Sequence, residues 1–383
     1  MNCPIFDTFR HSPNQIAYRT ERSSVTYKQL RQKVSLLCSI LKTKEINPNS
    51  IIMFEAKNTP ETICFILALF RLGVWVFPIN PKFPKTHQQA LINQFDIDMF
   101  FDTKTIASLL ESDLNLDINK SMPPIIPSST KTIILSSGST SAHKAIVHQL
   151  DSHFISAKSA NKHLSFNSEK SWLLSLPLFH ISGLSLIFRV LYSGGTLCIP
   201  TSNGNLSEHV SALNPTHVSA VASQCFSLLD KSKDFSFLDA ILLGGGAANQ
   251  SLLKDLVKRD LPLYYSYGLT ESASQVCTSS KLTIESLTSP ITCGQPLPHF
   301  KLKLSNTNEI LIKGKSLLEG YLEQKNIIPA IDKKGWFHTG DVGFLKETGH
   351  LSIKTRVDSM FISGGENIYP EEIEAILNDF KEI

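Results

Sequence analysis

Directly after the β-branched stretch Thr132-Ile133-Ile134-Leu135 comes a run of small and hydroxylated residues, Ser136-Ser137-Gly138-Ser139-Thr140-Ser141-Ala142-His143-Lys144. Such residues at the end of a strand suit a polyphosphate. Backbone N–H groups and hydroxyls can wrap its oxygens, and the lysine places a cation at the rim. Gly138 lets the backbone approach closely with no Cβ in the way. The spacing is not G-x-x-x-x-G-K-[ST], which excludes the P-loop. Taken alone, the run reads equally well as a solvated turn.

Three further segments carry related chemistry. Tyr264-Tyr265-Ser266-Tyr267-Gly268-Leu269-Thr270-Glu271-Ser272 places an aromatic ring, a glycine, a hydroxyl and a carboxylate together. Gly335-Trp336-Phe337-His338-Thr339-Gly340-Asp341 and Arg356-Val357-Asp358-Ser359-Met360-Phe361-Ile362-Ser363-Gly364-Gly365-Glu366-Asn367-Ile368-Tyr369-Pro370 follow in that order. Together the four resemble the adenylate-forming superfamily of acyl- and aryl-CoA synthetases, peptide-synthetase adenylation domains and luciferases. The resemblance covers the whole chain.

It implies ATP, Mg²⁺ and CoA as small-molecule substrates and cofactors. Activation is attack of a carboxylate on the α-phosphorus of ATP with pyrophosphate leaving, so charge must be neutralised and the oxygens held in line. By resemblance, Ser136, Ser137, Gly138, Ser139 and Thr140 bind the β- and γ-phosphates, and Lys144 adds positive charge. The family usually has glycine where this chain has Ser141 and proline where it has His143. Thr270 falls to the α-phosphate, and Glu271 to Mg²⁺, a hard cation that suits a carboxylate. Tyr267 stacks on adenine, with Gly268 beside it, and Gly244, Gly245 and Gly246 offer bare backbone to the base. Asp341 grips both ribose hydroxyls and Arg356 reinforces the sugar. By position alone Asp341 is a turn aspartate, and the glycine triplet an ordinary strand end.

On the acid side, Leu176-Pro177-Leu178-Phe179-His180-Ile181-Ser182-Gly183-Leu184 resembles the segment that sets a histidine beside the substrate carboxylate. His180, Ser182 and Gly183 are its candidates. Details here, in Lys144-Ala145-Ile146-Val147-His148 and in Ser272-Ala273-Ser274-Gln275-Val276-Cys277 are most similar to the o-succinylbenzoate–CoA ligases of menaquinone biosynthesis. Arg189 fits that substrate, which has one carboxylate to activate and another to anchor. A buried guanidinium is costly unless paired, and charge-assisted hydrogen bonds to a carboxylate offset that cost. From spacing alone, Arg189 sits equally well on an exposed helix face. Ser272 and Ala273 leave room for an aromatic ring. The implied activity is ATP-dependent formation of the o-succinylbenzoyl adenylate and its transfer to CoA. The alternatives are another aryl- or acyl-CoA ligase and a non-catalytic nucleotide-binding remnant.

Positioning these groups requires a sizeable α/β scaffold. Helical and strand patterns alternate: a helix over 27–41, a strand at 51–54, a helix from Pro60, a strand at 74–77, a helix over 87–95 and a strand at 99–101. The alternation resumes with strands at 171–176, 196–199 and 240–243 and a helix near 183–192, which argues for layered, mostly parallel sheets. From Phe300 the texture becomes short alternating strands. The expected organisation is therefore a large N-terminal domain over 1–355, with a β sub-lobe at about 293–355. A hinge at 356–359 turning on Asp358 follows, then a C-terminal domain begun over 360–383. In the resembled family that domain continues and holds a catalytic lysine near its end. No residue here matches that lysine, so slow thioester formation is expected.

The 383 residues, 42% hydrophobic and 19% charged, can bury a large core. A net charge of +3 with dispersed lysines and arginines points away from a nucleic-acid partner. The most apolar stretch, 63–78, is broken by Arg71 and Gly73 and is too short to span a bilayer. No secretory leader is expected from the acidic start, and the seven cysteines lack metal spacing. Reduced buried thiols in a cytoplasmic protein are the expectation. The sequence leaves the oligomeric state open.

Overall fold

Capping chemistry sets the helix ends. In helix Tyr27–Lys42 the Thr26 side chain accepts from the Gln29 N–H and the Gln29 side chain accepts from the Thr26 N–H, a reciprocal box. Helix Pro60–Leu72 begins with Thr59 as its cap and proline in the first turn, and ends on left-handed Gly73 at φ 77°. Helix Ile181–Ser193 likewise ends on Gly194 at φ 68°.

The computed structural model describes residues 8, 11–44, 46–111, 126–136, 143–246, 249–287, 291–357, 361–363 and 366–368. The chain divides into two compact units, 1–203 with 318–330, and 204–317 with 331–383. Expectations for Ser137, Gly138, Ser139, Thr140, Asp358 and the helix starting at Pro370 lie outside the described residues.

In the first unit, strands run in the order Asn326–Ile328, Gly320–Glu323, Lys144–Gln149, Lys131–Ser136, Trp75–Ile79, Ile51–Glu55 and Met99–Phe101. The pairs among Lys131–Ser136, Trp75–Ile79, Ile51–Glu55 and Met99–Phe101 are parallel, and the remaining three are antiparallel. The parallel expectation therefore holds for the side connected by helices. The hairpin leading into Lys144 reverses the chain in too few residues for a crossover. The core on this sheet includes Met53, Phe77, Phe95, Ile133 and Val147, each burial contributing about 1.5–3 kcal/mol. A second set in the same unit pairs Ser171–Leu173, Thr196–Cys198 and Ile16–Arg19 in parallel. The strand expected over 171–176 stops at Leu173, because the chain beyond turns into a loop around Pro177.

The second unit places His217–Ala220, Ala240–Leu243 and Leu263–Leu269 in parallel, then adds Ser274–Thr278 antiparallel. The expected β sub-lobe is an antiparallel sheet of Phe300–Leu304, Glu309–Gly314, Phe337–Leu345 and Leu351–Arg356. Among the described residues no helix is long and apolar enough to cross a membrane, and Cys38, Cys64, Cys198, Cys225, Cys277 and Cys293 are free and buried.

Candidate active site

Strand Leu263–Leu269 ends at the tip of a tight hairpin. A Cβ on Gly268 would lie 2.1 Å from the Ser274 carbonyl oxygen, so only glycine allows the two strands to approach this closely. A 3-10 turn, Thr270–Ser272, follows, and Ala273 and Ser274 both take positive φ, 55° and 106°. The Ser272 hydroxyl donates to the Ser274 carbonyl (2.6 Å) and accepts the Leu269 N–H (3.2 Å). These bonds tie down the turn that presents Thr270 and Glu271, which are half-buried. Ser272 and Ala273, expected to make room for a ring, are themselves 0% exposed. Their geometry is that of a scaffold under the Thr270–Glu271 tip.

Tyr267 on that strand and Asp341 on strand Phe337–Leu345 are both 8% exposed, and the Tyr267 hydroxyl donates to Asp341 Oδ2 at 2.6 Å. The other carboxylate oxygen accepts from Arg356 Nη1 at 3.0 Å. Arg356 faces Asp341 directly across the strand pair. A Cβ on Gly340 would sit 3.2 Å from Arg356 Nη2, so glycine there clears the guanidinium's path. The Asp341 N–H donates to the Thr339 hydroxyl (3.0 Å), which donates to the Ile310 carbonyl (2.8 Å). Burial and the neighbouring Asp341 hold the Tyr267 phenol well above its usual pKa, so it remains a donor.

Nearby in the same unit, the glycine triplet follows strand Ala240–Leu243. A Cβ on Gly244 would meet Ser266 Oγ at 2.7 Å, whereas one on Gly246 would meet nothing within 4 Å. Gly245 and Gly246 take φ of 82° and 157°. The backbone at Gly245 and Gly246 is therefore unusual in conformation, and at Gly246 it is also bare.

In the first unit, Ser136 and Lys144 face each other at the mouth of the hydroxyl-rich hairpin. His143 Nδ1 lies 3.3 Å from the Ser136 carbonyl oxygen, and the exposed Lys144 ammonium rests 5.4 Å over the Tyr321 ring. His180 is the N-cap of helix Ile181–Ser193 and makes no side-chain cap hydrogen bond. His180 is exposed to solvent, and its ring lies tilted at 55° to that of Phe179, with centroids 4.6 Å apart. Partial burial still lowers its pKa below the ordinary histidine value. A Cβ on Gly183 would come 2.1 Å from the Pro177 carbonyl oxygen, so the first helical turn is seated against that peptide.

Arg189, eight residues along the same helix, is 2% exposed, which removes the exposed-face alternative. Its guanidinium stacks over Trp172 at 4.9 Å. Burial lowers its pKa to about 9, which still leaves it cationic at neutral pH. Asn161 Nδ2 holds the Arg189 carbonyl at 2.8 Å and the Ser193 hydroxyl at 2.7 Å. Sequence alone assigns no role to Trp172, Thr339 or Asn161. Trp172 could have been suspected from its place in a strand next to the His180 segment, but the other two carry no signature of their role.

The family model for AMP-binding enzymes matches residues 5–322. A 2-succinylbenzoate–CoA ligase from Haemophilus influenzae is 36% identical over 369 residues, covering 95% of this chain and 78% of that protein. The Bacillus subtilis o-succinylbenzoate CoA synthetase, solved with the acyl-adenylate intermediate OSB-AMP, superposes with a TM-score of 0.86 at 25% identity, covering 99% of this chain and 83% of that one. The same enzyme in complex with ATP and magnesium ion gives a TM-score of 0.84 at 26% identity, covering 98% and 84%. The chain belongs to the AMP-binding enzyme family, among relatives that include the 2-succinylbenzoate–CoA ligases.

Proposed function

We propose that this protein is an AMP-forming acid–CoA ligase that converts o-succinylbenzoate to o-succinylbenzoyl-CoA, the thioester used in menaquinone biosynthesis. In the first step a carboxylate oxygen of the acid bonds to the α-phosphorus of ATP, and the bond to pyrophosphate breaks. In the second the CoA thiolate attacks the acyl carbon and AMP leaves. The similarity to 2-succinylbenzoate–CoA ligases over nearly the whole chain supports the overall reaction.

Asp341, Arg356 and Tyr267 bind the ribose and adenine, with Tyr267 coupling the ring to the carboxylate. Gly246 leaves bare backbone beside the base, while Gly244, Gly245 and Gly268 let the neighbouring chain close up around it. Ser136, Ser137, Gly138, Ser139, Thr140 and Lys144 take the triphosphate. Thr270 contacts the α-phosphate. Glu271, on a turn pinned from within, supplies a hard oxygen ligand that fits Mg²⁺. Bound there, the ion would neutralise charge on the phosphates. His180, with its lowered pKa, orients the reacting carboxylate as a neutral donor, and Ser182 and Gly183 shape the helix start beneath it.

The single observation that carries the choice of acid is Arg189. A buried cation on the helix that His180 caps gives an acid with two carboxylates a place for its second charge. Large-part residues 1–355, a hinge at 356–359 turning on Asp358 and a C-terminal part beginning at 360 complete the proposal, with motion at the hinge separating the two steps. A cytoplasmic setting accords with the buried free thiols and with ATP and CoA as substrates.

The test is pyrophosphate release against a panel of o-succinylbenzoate, benzoate, coumarate and fatty acids. The dicarboxylate should be preferred by at least tenfold in kcat/KM. A monocarboxylate turned over equally well would reassign the substrate, and no release with any acid would remove the enzymatic reading.

A further inference from the structure

The loop that carries His180 has no secondary structure between Leu173 and Ile181, yet one side chain from elsewhere in the chain grips it at three points. Asn58 lies in the turn between strand Ile51–Glu55 and helix Pro60–Leu72, half-buried. Its Nδ2 donates to the Leu176 carbonyl at 2.9 Å and, more loosely, to the Leu174 carbonyl at 3.4 Å. Its Oδ1 accepts the Leu178 N–H at 3.0 Å. The amide thus pairs with the loop as a peptide unit of a neighbouring strand would, on both sides of Pro177. Proline has no N–H to offer a sheet partner, so a side chain completes the pairing there.

The same peptide is held from its other side. The Pro177 carbonyl accepts the His180 N–H at 3.1 Å. Gly183 packs so close that any Cβ would overlap the Leu176 and Pro177 carbonyl oxygens. Asn58, the Pro177 peptide and the first turn of helix Ile181–Ser193 therefore form one stack. His180 leaves the end of it with its ring making no cap bond. The turn bearing Asn58 is itself fixed, because the Thr59 hydroxyl caps the following helix through the Thr62 N–H at 3.3 Å.

We propose that Asn58 is a positioning residue for the activation step, setting the direction of His180 through the Leu176–Leu178 backbone without touching the substrate. This rests on the proposed role of His180 at the acid's carboxylate. Reacting groups must be placed to within a fraction of an ångström, and a misplacement of about 1 Å can cost on the order of 10²-fold.

The experiment measures pyrophosphate release by the full chain for wild type, N58A, N58D, H180A and N58A/H180A, varying acid and ATP separately. N58A should lose about 10- to 100-fold in kcat/KM for the acid, with KM for ATP within about twofold of wild type. N58A/H180A should be no worse than H180A alone, because Asn58 acts only through that ring. N58D keeps the acceptor for Leu178 and the side-chain volume but sets a carboxylate oxygen against the Leu176 and Leu174 carbonyls, so its folded fraction should show the acid-specific loss with KM for ATP unchanged. The rate at which an imidazole-acylating reagent labels His180, read by site-resolved mass spectrometry, should change severalfold in both Asn58 variants while exposed His11 labels as before.

Equal losses toward ATP and acid, additive losses in the double variant, or unchanged His180 labelling would each overturn the proposal. If wild type turns over only a different acid, the substrate reading fails and Asn58 is judged with that acid. If wild type turns over none, the labelling rates decide alone.

Discussion

Asp341 and Arg189 carry opposite charges and are both buried, yet they are held by different means. Asp341 sits in a sheet and is surrounded by directional bonds: Tyr267 on one oxygen, Arg356 on the other, and its own N–H tied to Thr339. Arg189 sits mid-helix against a flat ring, and its position comes from packing on Trp172 and from the Asn161 bond to its carbonyl. The first arrangement fixes the carboxylate's geometry in advance, which suits the ribose role proposed for it. The second keeps a positive charge where desolvation makes it expensive, and the proposed substrate carboxylate would offset that cost. On the proposed assignment, the nucleotide would meet a rigid hydrogen-bond frame and the acid a buried cation held by packing.

That contrast can be broken from either side. The largest effect is expected at the turn proposed to hold Mg²⁺: E271Q should lower pyrophosphate release on the order of 10²- to 10³-fold by weakening charge neutralisation at the phosphates. Excess Mg²⁺ should recover part of the loss in steady-state assays. R189M, which preserves volume, should cost about 10²-fold in kcat/KM for o-succinylbenzoate, as expected for losing a charged hydrogen-bond partner. Monocarboxylate turnover and ATP affinity should stay within about threefold. A uniform loss across acids would mean that Arg189 only packs.

Changes to the hydrogen-bond frame should be smaller and confined to the nucleotide. D341N should weaken a nonhydrolysable acyl-adenylate mimic by about 10- to 100-fold in calorimetric titration. Y267F, which removes only the hydroxyl, should weaken it by about 2- to 10-fold. Equal effects of D341N on acid and nucleotide KM would blur the division between the two regions.

The smallest expected effect is on stability. His153 is buried against Phe188 with its pKa well below the ordinary 6.5, and burial brings His299 from 6.5 to about 4. Both are neutral in the folded protein, whereas the unfolded chain protonates near the ordinary value. Their contribution is therefore fully present above pH 6.5 and is lost as pH falls from there toward about 4 and below. Thermal melts should drop by several degrees across that window, and the double variant H153Q/H299Q should show a shallower slope.

Much of this was readable beforehand because it is local. Pro60 announced the start of its helix, and the apolar stretches 132–135 and 240–243 marked strands within a residue of their ends. The mixed character of the first sheet was less legible, since strand direction depends on partners far apart in sequence, such as 144–149 with 320–323. Arg189 shows the same limit. Helical periodicity placed it on a helix, but burial was decided by which neighbours that helix packs against.

By itself the sequence determined the order of the chemical segments, the type of most elements and the chemistry each segment could offer, because hydroxyls, glycines and charges act over a few residues. Only the tertiary structure decided that Tyr267, Asp341 and Arg356 form one bonded cluster, that Arg189 is stacked inside on Trp172, and that Asn58 grips the His180 loop. Those facts depend on contacts between residues tens to more than a hundred positions apart, and no local propensity encodes where such distant side chains meet.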